Sequence, residues 1–112
     1  FHPDALQHYH AFFAQPERVA ASCEDYRAGA TIDDEHDQQT ADTGGRILCP
    51  LLTVWGAAGI AQSSDTPLTV WQRWAADVEG GSTQSGHFMA EEDPDGLMEI
   101  LLPFLLRSRP NK

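Results

Sequence analysis

The chain has 112 residues, a length that suits one small domain, with 17 acidic and 7 basic side chains and a formal net charge of −10 at pH 7. That charge speaks against nucleic acid and anionic membranes as partners, and any anionic substrate must be drawn in by a local positive or hydrogen-bonding site. No apolar run approaches the roughly 20 residues of a membrane span and no leader pattern is visible, so the expectation is a cytoplasmic protein.

The chain opens on Phe1-His2-Pro3-Asp4, which reads as an internal or C-terminal piece of a longer protein, while the polar, basic stretch from Arg107 to Lys112 reads as a natural end. Asp4 to Ala14 carries Leu6, Tyr9 and Phe13 on one helical stripe, with Asp4 as N-cap. Pro16 opens a second helix with Glu17 in its first turn and Val19, Ala20 and Cys23 as its apolar stripe. It is expected to run to about Arg27 and stop at Gly29. Ile32 to Asp42 has helical spacing but almost no apolar face, and reads as a surface helix ending in the turn Thr43-Gly44-Gly45.

The texture then changes. Leu51-Leu52-Thr53-Val54-Trp55 is apolar on both faces, as a central parallel strand would be, and Pro50 sits at its start, where a missing donor is tolerated. Gly56 to Gly59 turns the chain. Ser64 to Thr66 cap a helix with Pro67 in its first turn and Leu68, Trp71, Trp74 and Ala75 as its stripe. Val78 to Thr83 is a second strand, weakened by Gly80 and Gly81. Asp93 caps a last helix with Pro94 in its first turn and the stripe Leu97, Ile100, Leu101, Phe104 and Leu105. Pro103 should kink or shorten its last turn. Strand, helix, strand, helix is the repeating unit of a doubly wound parallel sheet, and two strands need neighbours to bury their faces.

Several residue types invite chemistry. His87 follows the second strand directly, beside Gly86 and ahead of an acidic helix start. A rigid strand end fixes an imidazole while the loop leaves it reachable, which is how a general base is presented. The plain alternative is a loop histidine without a role. Tyr26 reads from the residues alone as an aromatic that packs at the end of its helix. His36 and Asp37 lie in an exposed charge run. Glu91 and Glu92 complement the N-terminus of the last helix. Trp71 and Trp74 are core at helical spacing, and His8 and His10 fall on different helix sides, the wrong spacing for a metal pair. Cys23 and Cys49 have no metal-type spacing and read as small buried hydrophobes in a reducing compartment. No motif implies a cofactor or a metal.

Taken together, Cys23-Glu24-Asp25-Tyr26-Arg27-Ala28-Gly29-Ala30, Glu35-His36-Asp37, Leu52-Thr53-Val54-Trp55-Gly56, Gly59-Ile60-Ala61-Gln62, Val70-Trp71, Trp74-Ala75 and Ser85-Gly86-His87-Phe88 with Glu91-Glu92 span nearly the whole chain. This set closely resembles the C-terminal part of the fluoroacetate, or haloacetate, dehalogenases of the α/β-hydrolase superfamily. The strand-Trp-Gly and Gly-His-Phe pieces are generic to that superfamily. The block around Tyr26, the Gly-Ile-Ala-Gln turn and the paired tryptophans narrow it to the haloacetate branch.

The resemblance implies an α/β fold made of the end of a helical cap, residues 1–30, and the C-terminal part of the core, residues 31–112, with the last two parallel strand-helix units. It implies a 2-haloacid as small-molecule substrate. An aspartate displaces the halide to form an ester, and a histidine-activated water hydrolyses it. His87 takes the base role and Tyr26 donates to the departing halide. The family's tendency to homodimers extends here by resemblance alone.

No Gly-x-Asp-x-Gly or Gly-x-Ser-x-Gly elbow occurs in the 112 residues, so the nucleophile is missing, and the chain by itself is expected to be inert. The loop Gly56-Ala57-Ala58-Gly59 lacks the acid that many α/β-hydrolases place there, as the haloacetate branch also does. Two alternatives stand beside this reading. One is an epoxide hydrolase of the same fold, which would need further tyrosines upstream. The other is a non-catalytic truncated relative covered by a partner.

Overall fold

The computed structural model describes residues 1–59 and 65–107. They fall into two compact units, Phe1–Gly45 and Arg46–Lys112. The expected Gly59 to Gln62 turn and Ser64 cap lie partly outside the described residues, as does the polar end beyond Arg107.

The first unit is three helices: α1 Pro3–Phe13, α2 Pro16–Gly29 and α3 Ile32–Asp42. Each start has a local cause. Pro3 and Pro16 fix the helical φ where the missing N–H costs nothing. The N-cap of α1 is His2, not Asp4: its Nδ1 accepts from the Asp4 N–H at 3.3 Å, which leaves Asp4 in the first turn as a dipole partner. Gly29 does not stop α2 but is its last helical residue. The break comes at Thr31, which has non-helical dihedrals and whose hydroxyl donates to the Arg27 carbonyl at 2.7 Å. Helix α3 ends as expected, with Gly44 at φ 70°, the left-handed turn conformation glycine tolerates. Cys23 is exposed rather than buried, because no residue of α2 is buried within this structure.

The second unit holds a two-stranded parallel sheet, β1 Leu51–Gly56 and β2 Val78–Thr83, with α4 Pro67–Trp71 between them and α5 Met89–Glu92 and α6 Pro94–Arg107 after them. The register runs from Leu51 opposite Val78 to Gly56 opposite Thr83. An isolated bridge, Ile47 with Ala75, extends the pairing backwards past Pro50. Cys49 lies in that gap, outside the ladder, and is exposed.

The expected glycine weakness in β2 is compensated by fit. A side chain on Gly80 would come within 2.5 Å of the Thr53 carbonyl, and one on Gly81 would meet Ile100 of α6 at 3.3 Å. The strand is thin where its neighbour strand and helix approach. Among the described residues the buried ones are Thr53, Gly56, Ala75, Thr83 and Ser85.

Two helices depart from expectation. Helix α4 has five residues and stops at Trp71, so Trp74 and Ala75 are not on it. Ala75 is drawn into the extended bridge with Ile47, and the Arg46 guanidinium takes the Gln72 and Ala75 carbonyls that a longer helix would have used. Helix α6 continues past Pro103 to Arg107 rather than ending early. Pro103 and Glu99 are both exposed, so the unpaired carbonyl one turn back faces water at little cost. Arg107 pairs with Glu79, tying the end of α6 to β2. Among the described residues no helix is long and apolar enough to cross a membrane.

Candidate active site

Strand β2 ends at Thr83, and residues 84–88 carry the chain from the C-terminal edge of the sheet into α5. This is the edge at which open parallel sheets present ligand-binding loops. His87 lies in that loop, with its side chain exposed, its ring meeting the Phe88 ring edge-on at 5.3 Å. The position expected from sequence is the one observed.

The loop is held on two sides. From the β1 side, the Ala57 N–H donates to the Thr83 carbonyl and the Ala58 N–H to the Ser85 carbonyl, each at 3.0 Å. The backbones approach so closely that a β-carbon on Gly56 would fall 1.7 Å from the Gly86 carbonyl oxygen. One on Gly59 would fall 2.7 Å from the His87 nitrogen. These two glycines therefore set how deeply the histidine loop seats. Where the strand passes into the loop, the buried Thr83 and Ser85 hydroxyls share a hydrogen bond of 2.7 Å.

From the other side come two consecutive carboxylates. Asp93 accepts the Gln84 N–H at 3.0 Å through one oxygen and the Gly96 N–H at 3.0 Å through the other. It thus caps α6, as expected, and also anchors the loop. Glu92 accepts the Gly86 N–H at 2.7 Å and the Phe88 N–H at 3.1 Å, one with each oxygen. This corrects the sequence expectation for Glu92. Residues 89–92 form their own short helix, so Glu92 sits at its end and faces back to the loop, not forward to α6. The two amides that bracket His87 are alternate residues of one segment, and a carboxylate spans such a pair because it has an acceptor on each side. The sequence carried the raw signal, an acid a few residues after a loop histidine, but not the direction in which it points.

Tyr26 belongs to the first unit. It lies on α2, 82 % exposed, on a surface hollow of about 540 Å³ also lined by Phe12, Phe13, Arg18 and Asp25. The Arg18 guanidinium stacks over the Phe12 ring at 3.9 Å and its Nε donates to Gln15 at 2.8 Å, so the cation of that hollow is already engaged. Tyr26 does not pack at the end of its helix; its ring is presented outward. His36 and Asp37 are exposed on α3, and among the described residues no group of three metal-type ligands gathers.

No protein-family model matches the chain. A fluoroacetate dehalogenase from Burkholderia sp is 37% identical over 109 residues, 97% of this chain and 35% of that protein. Among solved structures, a Pseudomonas aeruginosa protein provisionally assigned as an epoxide hydrolase matches with a TM-score of 0.88 and 38% identity, over 97% of this chain and 36% of that one. A variant of that protein has been solved with bound MFA. An α/β hydrolase from Nostoc sp PCC 7120, also provisionally assigned, matches with a TM-score of 0.85 and 44% identity, over 94% of this chain and 35% of that one. The chain thus spans about a third of the length of the proteins it matches.

Proposed function

We propose that this chain, which has the fold of a segment of an α/β hydrolase, supplies the base histidine and a halide-binding tyrosine to a haloacetate dehalogenase. Residues 1–30 then form the end of the helical cap and residues 31–112 part of the core. The observation that carries the reading is the seating of His87 at the C-terminal edge of the parallel sheet, on a loop whose backbone is held from both sides. The identity to the Burkholderia enzyme supports the substrate class.

The chemistry runs in two displacements. An aspartate carboxylate, which these 112 residues do not hold in an elbow motif, attacks the carbon bearing the halogen. The carbon–halogen bond breaks, halide leaves with the electron pair, and an ester forms. Water then gives a proton to the His87 imidazole while its oxygen attacks the ester carbonyl. The alkoxide leaves, takes the proton back from the imidazolium, and departs as a 2-hydroxy acid. The aspartic acid loses its proton to solvent and is ready again. Fluoride is strongly hydrated, so its departure needs aimed donors in a dry site, and the outward Tyr26 hydroxyl is suited to be one of them once that site is assembled.

The test is halide release from fluoroacetate and chloroacetate by the full-length protein that carries this chain. His87→Asn should lower steady-state release by about 100- to 10,000-fold, the usual loss for a general base. Unchanged release in that variant would refute the assignment. The similarity to the Pseudomonas protein favours a second reading, an epoxide hydrolase. It predicts diol formation from a small epoxide and no halide release, with the same dependence on His87.

A further inference from the structure

We infer that Glu92 is a positioning residue for His87. This rests on His87 as the base and adds a residue to that site. The observation is a pattern in the loop backbone. The N–H groups of residues 84, 86 and 88 all end on carboxylate oxygens, the first on Asp93 and the other two on Glu92. The carbonyls of residues 83 and 85 end on the turn after β1. His87 is the residue between the two amides held by Glu92, so both of its backbone neighbours are fixed by one side chain.

Asp93 has a second duty as the cap of α6, which accounts for its presence on structural grounds alone. Glu92 has none of that kind: it is exposed and spends both oxygens on the histidine segment. An exposed carboxylate gives up two well-hydrated positions here for two charge-assisted bonds that order the segment, not the helix. A base must lie within hydrogen-bond reach of its water, and displacement by about 1 Å costs on the order of a hundredfold in rate. Loosening the segment around residues 86–88 therefore acts on the step His87 performs, ester hydrolysis, and leaves halide displacement by the aspartate nearly intact.

The variant is Glu92→Gln. It keeps the size of the side chain, but one of the two acceptors becomes an NH₂ that cannot accept. In the full-length protein, hydrogen exchange of the peptide covering residues 84–88 should speed up by about tenfold. Single-turnover chloroacetate should give halide at a rate within about threefold of the parent, while decay of the covalent ester, followed by intact mass, slows by about 10- to 100-fold. Glu99→Gln, which removes an exposed charge from α6, should change none of these.

His87→Asn separates the two inferences. If it leaves ester decay unchanged, the base reading fails and this one with it. If it blocks decay while Glu92→Gln does not slow it, the base reading stands and the positioning role is overturned, whatever happens to exchange. Equal slowing of both chemical steps in Glu92→Gln would also overturn it, since a general loss of structure would act on both.

Discussion

The helical unit and the sheet unit place their candidate residues by different means. In the sheet unit His87 is located through its backbone: parallel register, two glycines without room for a β-carbon, and hydrogen bonds that tie residues 83–88 to the turn after β1, to Asp93 and to Glu92. In the helical unit Tyr26 is located by little more than its position on α2, with no buried residue on any of the three helices. A base must meet a water at a fixed point, and its rigidity is local to this chain. A halide donor, the role proposed for Tyr26, acts only among further aimed donors, and α2 has no buried residue to hold it.

That contrast can be broken by substitution. Gly56→Ala should cause the largest loss of stability, about 3 kcal/mol, because its β-carbon would collide with the Gly86 and Ser85 carbonyls and no flexible side chain can give way. A urea midpoint measures it, and halide release should be lost with it. Thr83→Val should cost about 1 kcal/mol, since it takes away the buried partner of the Ser85 hydroxyl without changing the packed volume. Tyr26→Phe should alter stability by under about 0.5 kcal/mol, as an exposed change away from packing contacts. Yet it should slow the halide-forming step by about a hundredfold if its hydroxyl meets the halide. A Tyr26→Phe variant that melted early with normal chemistry would invert the comparison.

Much of this was legible in the residues because it depended on local signals. Prolines at first turns, the doubly apolar run Leu51 to Trp55 and the glycine after α3 mark their elements with little help from tertiary contacts. His87 was legible too, since a strand end and a loop are short-range features. The misreadings of α4 and Glu92 share a cause, which is competition from a partner outside the element. Helix α4 is cut short by a bridge to Ile47 and by Arg46, some 26 to 29 residues away from the carbonyls it takes. Glu92 was read by its distance from the next helix, while the donors that claim it lie behind it. Asp4 was displaced as a cap by the histidine two residues before it, a residue type that is not a usual cap.

The most direct test of the central claim, that His87 is the base of the second step, is the intact mass of the full-length His87→Asn protein after incubation with chloroacetate. The expected result is a single burst of halide and a protein that gains the mass of a carboxymethyl ester and keeps it, because displacement proceeds and hydrolysis does not. A protein of unchanged mass that continues to release halide at the parent rate would contradict it.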